Sequence, residues 1–499
     1  MSKRLAKLRK SLESTSSNAF GSAKHPSALA SAQSSQKSGM KDQPHAPGYE
    51  IARTQGKEAR QKVSRSELGR WEIKTDRQEA MDLLFAQEQS RLADLIDERH
   101  KRMAANPFAF YRATAATMAA DLATQPNTGI IVQACGDAHI ANFGGYRSPE
   151  SNLVFDLNDF DETSRAPWEW DVKRLVASVV ICGRNRGFSD SWCLHAAQLT
   201  AESYRAAMRY FAERGALDVW NAYIDVGHVL ERLSEHVSKD DRRHVAADLK
   251  RAFSKTNQRA FDKLVTTCDG EVEMVYDPPE IVPLSHFLTS ENIEQIRSSI
   301  ESLLKGYRAT LLPTYRPLLE NYHLLGLAQK VVGVGSVGTR CWVAVLTGTQ
   351  IADPLVLQIK EANASVLERW CGKSPYATHG ERVIQGQRLM QATSGVLLGW
   401  TTGPGFDGIS RDYYIRQLWN WKMSVDLEKI SSDELEIYSL LCAWTLARAH
   451  ARTGNRGAIA GYLGASEKFD EAMASFAVAY ADQNDIDYQA FLSRIDLHA

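Results

Sequence analysis

The chain has 499 residues, 44% of them hydrophobic and 24% charged, and a formal net charge of -1 at pH 7. That length exceeds one ordinary core and implies two or three folded units. The near-neutral balance excludes a bulk electrostatic pull toward nucleic acid or an anionic membrane, and no apolar run approaches the roughly 20 residues of a spanning helix.

The N-terminus, Met1-Ser-Lys-Arg-Leu-Ala-Lys-Leu-Arg-Lys10, is basic, but no apolar segment follows, so it does not read as a secretory signal. Seven irregularly spaced cysteines without a Cys-x-x-Cys pair point to reduced thiols and a cytoplasmic location. Residues 1–65, rich in Ser, Ala, Lys and Gln, are expected to form a disordered tail, with a short helix at Leu5, Leu8 and Leu12. Residues 66–320 read as a mostly helical lobe. Met81, Leu83, Leu84, Leu92, Leu95 and Ile96 recur at helical spacing, and Asn106-Pro107 breaks the pattern before it resumes over 108–122. A turn at 125–129 leads to a strand at 130–133, and 168–182 predicts a well-buried helix. Helical patterns continue to about 260 and again at 292–305, with a loop over 269–283.

Residues 321–420 read as a smaller β-rich lobe: two strands around a glycine turn over 329–346, a third strand at 355–360, a helix near 381–391, and strand-like pieces at 396–400 and 413–418. Residues 421–499 are again helical and are expected to complete the large lobe. The fold class is α+β.

The densest chemistry lies in Cys135-Gly-Asp-Ala-His-Ile-Ala-Asn-Phe-Gly144 and Asn152-Leu-Val-Phe-Asp-Leu-Asn-Asp-Phe-Asp161. Asp137, His139, Asn142, Asp156, Asp159 and Asp161 fall within about one hairpin, in apolar, strand-like surroundings. Buried charge without a partner is expensive, so such a cluster holds a cation or performs proton chemistry. Asp-x-x-x-x-Asn followed by a strand ending in Asp-Phe-Asp is the spacing with which phosphoryl-transfer enzymes place a base and magnesium ligands. In that reading Asp137 accepts or orients the proton of the attacking hydroxyl, Asn142 and Asp159 bind magnesium, and Asp161 takes a second metal or a backbone contact. Asp156 is either structural or the true ligand. His139 braces the loop, and Asp171, at the start of a buried helix, hydrogen-bonds the loop backbone.

The second constellation is Gly333-Val-Gly-Ser-Val-Gly338. Glycines at 333, 335 and 338 with Ser336 between them let the backbone approach a phosphate closely. A strand follows, not the helix a dinucleotide fingerprint needs. Lys360 then ends an apolar strand, where its ammonium can hold the phosphates of ATP if a carboxylate positions it. Glu381 on the next helix is the candidate, with Glu361 and Glu368 as alternatives.

With these residues in view, Pro107-Phe-Ala-Phe-Tyr-Arg112, the 135–144 loop, Phe155-Asp-Leu-Asn-Asp-Phe-Asp-Glu-Thr163 and Pro167-Trp-Glu-Trp-Asp171 resemble a bacterial family catalogued as domain of unknown function 2252, over roughly residues 70 to 490. That family is similar to the protein kinase-like clan, especially phosphotransferases of the aminoglycoside and choline type, whose loop reads H-G-D-x-x-x-x-N. This chain has Cys135 where those have His, and a longer gap from Asn142 to Asp159. The resemblance implies a bilobal kinase-like fold using ATP and Mg2+ on an unknown small-molecule or protein acceptor. Because 137–161 precede 333–360, it also implies circular permutation, with Leu446-Ala-Arg-Ala-His450 resembling the helix that normally precedes the catalytic loop. The competing readings are a non-catalytic nucleotide sensor and a metal-dependent phosphohydrolase.

Overall fold

The computed structural model describes residues 47–227, 257–268, 271–289, 292–350, 353–405, 407–418 and 423–495. The expected tail to residue 46, with its short helix, and the helical expectation over 228–256 lie outside them. The chain is mixed α+β, and among the described residues no helix is long and apolar enough to cross a membrane.

The β-rich part is a six-stranded antiparallel sheet in the order Gly399–Pro404, Ser410–Gln417, Pro354–Glu361, Cys341–Thr347, His323–Lys330, Ile281–Pro283. Side chains alternate across a strand, so neighbours in one strand face opposite cores. Ala344 and Leu346 join Leu355, Leu357 and Ile415 in one cluster with Tyr307 and Leu311, from helix Ile293–Thr310 and the residue after it. Val343 and Val345 join Val356 in another with Ala260, Phe261 and Leu264 of helix Asn257–Leu264. The sheet is thus covered on both faces by helices that lie before residue 321. This moves the lower boundary of the β-rich unit from the expected 321 to about 257, because a bare apolar sheet face must be buried somewhere. Strands at Glu271–Met274 and Ile281–Pro283 also occupy the stretch expected to be loop.

The helical part is organised around Trp168–Asn185, whose residues 168 to 183 are all buried. Helices Asp190–Ala212, Ser432–Thr453 and Lys468–Arg494 share its core. At its start the Trp168 indole stacks on Tyr204, ring centroids 5.5 Å apart.

A further helix, Pro47–Lys62, occupies what was expected to be tail. Its composition is polar, so hydrophobic periodicity does not announce it. It docks through small residues instead: a Cβ at Gly56 would lie 1.9 Å from the Ala458 carbonyl, and one at Gly461 2.3 Å from that of Arg53. Backbones that close exchange dispersion contacts over most of their length without large apolar side chains.

Candidate functional site

The acidic cluster is built on two short ladders. Ile131–Ala134 pairs antiparallel with Ser164–Pro167, and between them a hairpin pairs Phe143–Arg147 with Leu153–Leu157. Residues 135–142 and 158–163 are therefore the two connections between one ladder and the other, which brings Asp137, Asn142, Asp159 and Asp161 to one end. Gly136 permits the first connection. Its φ is +83°, and a Cβ there would strike the Glu162 carbonyl at 2.2 Å, so only glycine fits.

One face of the buried helix grips the 135–140 loop. Asp171 accepts the amides of Cys135 (2.6 Å) and Gly136 (2.9 Å), Arg174 Nε donates to Asp137 Oδ1 (2.8 Å), and Ser178 Oγ accepts the Ile140 amide (3.0 Å). Positions 171, 174 and 178 share a helical face. Asp171 is backed by His450, whose Nε2 lies 3.1 Å from Oδ2 and whose Nδ1 bonds the Tyr204 hydroxyl at 2.8 Å. Arg174 also donates to the Tyr111 carbonyl (2.7 Å) and lies over that ring at 3.8 Å. It is a fixed cation, with its fork pre-oriented toward Asp137.

Even so, burial pushes the Asp137 carboxyl up to about 6, against the pull of Arg174, with the nearby Asp159 charge adding to the rise. Burial, reinforced by the positive charges of Arg174 and Arg112, holds His139 well below the ordinary histidine range. The imidazole is neutral, with Nε2 3.6 Å from Asp137 Oδ2. Glu162 is likewise raised to about 7 by burial, although its Oε2 accepts the Val366 amide at 2.7 Å.

Asp137, His139, Asn142, Asp159, Asp161, Gly333, Gly335 and Ser336 all line one cavity of about 390 Å³. Lys360 joins it from the sheet, donating to Asp161 Oδ2 and to Ser336 Oγ (2.6 Å), while the Tyr414 hydroxyl donates to Asp161 Oδ1 (2.6 Å). Burial works against charge at Asp161, but the Lys360 ammonium outweighs it and holds the carboxyl below its usual range. The carboxylate that positions Lys360 is therefore Asp161, not Glu381. Glu381 lies in the first turn of helix His379–Met390, where its amide bonds the Thr378 cap and its Oε2 accepts the Ala377 amide. The other two alternatives are also committed elsewhere: Glu361 pairs with Arg340 and Arg411, and Glu368 with Arg382.

Gly338 stands outside the cavity, against the Arg91 side chain. The glycine loop as a whole is held by its carbonyls. Arg102 donates to Gly333 (2.9 Å), Arg99 to Gly335 (2.8 Å) and Arg91 to Val337 (2.5 Å).

Asp156 does not line the cavity. It is buried away from the cavity, where Arg448 Nη2 meets Oδ1 at 2.6 Å and the Leu157 and Ala392 amides complete its shell. Asp159 forms no ion pair among the described residues, and its Oδ1 accepts the Asp161 amide at 3.2 Å. Asn142 donates Nδ2 to the Asp137 carbonyl (2.8 Å), which leaves Oδ1, the ligating atom, available. Among the described residues no three His, Cys, Asp or Glu side chains converge as a complete metal cage. One carboxylate and one amide oxygen are hard donors of the kind magnesium accepts when phosphates and water supply the remaining ligands, so the residues present fit that ion.

Arg112, Arg174 and Tyr414 were not singled out in the sequence. Arg174 was findable, since Asp171, Arg174 and Ser178 make a polar stripe on a helix buried from residue 168 to 183. Tyr414 carries no local signal, because its partner Asp161 lies 253 residues away in the chain, and Arg112 carries none because it has no ion-pair partner among the described residues.

No curated protein and no solved structure matches this chain. The family model described as "Uncharacterized protein conserved in bacteria (DUF2252)" matches residues 91–494, and the chain belongs to that family.

Proposed function

We propose that this protein is a Mg-ATP-dependent phosphotransferase with a permuted kinase-like arrangement. The observation that carries the reading is one cavity lined by a carboxylate of raised pKa (Asp137), an amide and a carboxylate with ligating oxygens (Asn142, Asp159) and the glycine loop (Ser336), with Lys360 bonded to its lining residues Asp161 and Ser336. Phosphoryl transfer needs positioning and charge neutralisation more than covalent chemistry from the protein. Asn142 Oδ1 and Asp159 would hold magnesium, which neutralises charge on the phosphates when bound. Lys360, oriented by Asp161, offers its ammonium to the phosphates beneath the glycine loop. The acceptor's hydroxyl oxygen bonds to the γ-phosphorus as the bond from phosphorus to the ADP oxygen breaks, and Asp137 takes the hydroxyl proton. A carboxyl titrating near 6 is ionised at neutral pH yet basic enough to take it. The order of motifs is no obstacle, because a site is defined by geometry and not by chain order.

The test is ATP binding by calorimetry, with and without magnesium, on wild type and Asp159→Asn. Magnesium-dependent binding, weakened at least tenfold in the variant, is expected. No binding under either condition sinks the proposal. Binding without transfer to any acceptor favours the nucleotide-sensor reading.

A further inference from the structure

The carboxylates of the cavity wall are largely matched from within. Asp137 has Arg174, Asp161 has Lys360, and Glu361 has Arg340 and Arg411, while Asp159 is the residue set aside for the metal. Glu162 also lines the wall without an ion pair among the described residues, and its charge acts at longer range on Arg91. Arg91 and Arg112 line the same cavity, and neither forms an ion pair among the described residues. Both are half-buried; the Arg91 guanidinium is committed to the Val337 carbonyl, whereas that of Arg112 forms no hydrogen bond among the described residues, and its Nε is buried without a partner. Arg112 is also acted on at longer range by Asp137, Glu428 and Asp159, so it stands near both the base and the metal-binding carboxylate. It borders a second cavity of about 360 Å³ as well, sharing that wall with Asn142 and Asp159.

A half-buried guanidinium on a cavity wall without a counter-ion is costly unless a ligand neutralises it. A planar cation with five donors suits a phosphate or carboxylate, which it binds through two parallel hydrogen bonds. We infer that Arg112 forms an anion site for the acceptor, so that the acceptor is a small molecule bearing its own phosphate or carboxylate besides the hydroxyl it presents to Asp137. The inference rests on the phosphotransferase reading for the word acceptor; the anion site itself does not. Nucleotide phosphates already have Lys360 and the metal residues, whereas Arg112 stands beside the base, where the acceptor must lie.

The experiment titrates inorganic phosphate and, separately, Mg-ATP into wild type, Arg112→Gln, Arg112→Lys and Lys360→Met, with thermal unfolding to establish that each variant is folded. Phosphate binding to the nucleotide-free, metal-free wild type is expected. It should weaken by about tenfold or more in Arg112→Gln and less in Arg112→Lys, which keeps the charge and loses the fork, while Mg-ATP binding to Arg112→Gln stays within about twofold of wild type. Three results would overturn the inference: no phosphate binding to wild type, phosphate binding lost in Lys360→Met but kept in Arg112→Gln, or Mg-ATP weakened in Arg112→Gln as much as phosphate. Phosphate bound through Arg112 by a protein that binds no Mg-ATP would keep the anion site and sink the phosphotransferase reading, so the two failures are distinguishable.

Discussion

Asp137→Asn is expected to lower phosphoryl transfer by about 10²- to 10⁴-fold and, measured without added metal, to make the protein more stable at neutral pH. The two effects have one cause. The folded protein raises the Asp137 carboxyl from 3.8 to about 6, so ionised Asp137 is less favourable folded than unfolded. A group with a raised folded pKa contributes its stability fully below the unfolded value and loses it as pH rises through the folded one. At pH 7 the whole penalty is present, up to roughly 3 kcal/mol from the shift. Asparagine removes it while keeping an oxygen for Arg174 Nε. The stability gap between variant and wild type should therefore close as pH falls through about 6 toward 4. Denaturant titrations at pH 7 and pH 4.5, alongside turnover at pH 7, check both halves. A variant less stable than wild type at pH 7 would show that Arg174 needs the charge more than burial resents it.

The second large effect is structural. Arg448→Met should cost about 3–5 kcal/mol, because it strands the Asp156 carboxylate in the core without its counter-ion. Both side chains are 1% exposed and their ion pair measures 2.6 Å, so water cannot stand in. Arg448→Met combined with Asp156→Asn should recover a good part of the loss, since a buried pair replaced whole costs far less than one broken. Urea unfolding of the two variants decides this; a loss below about 1 kcal/mol in the single variant would count against a structural role. The same pair separates the two neighbouring aspartates: Asp156 governs folding, whereas Asp159 is the residue whose loss should be felt by magnesium.

What the sequence made legible was what is local. The 168–185 helix carries an apolar run from Leu175 to Cys182 broken only by Ser178, the strand ending at Lys360 is a β-rich run, and the acidic residues from 137 to 161 reach one place through a single hairpin. What it hid was chosen over distance. Lys360 was assigned to Glu381 because a following helix is where such a partner is sought, yet Asp161 lies 199 residues upstream and no local pattern links them. Arg112 shows the same limit, since its value lies in having no partner of its own. The Pro47–Lys62 helix was missed for a different reason. Its contact is made by Gly56 and Gly461 at backbone range, and periodicity records only large apolar side chains. Asp171 ties the 135–140 loop to its helix as the sequence predicts, and Arg174 and Ser178 on the same face extend that grip to Asp137 and Ile140.

The three arginines on the glycine loop bear on how a ligand gets in and out. Arg91, Arg99 and Arg102 belong to the helical part, and the carbonyls they hold belong to a loop that projects from the sheet. A roof bolted to the opposite wall cannot swing as a flap. Opening it would expose a fully buried guanidinium, that of Arg99, and strand three donors at once, so traffic through the cavity is cheaper along its side, past solvent-exposed lining residues such as Ala364 and Arg369. Such an enzyme would gain a prepared site and give up the wide gape that admits bulky partners, which favours small diffusible molecules over the loops of folded proteins.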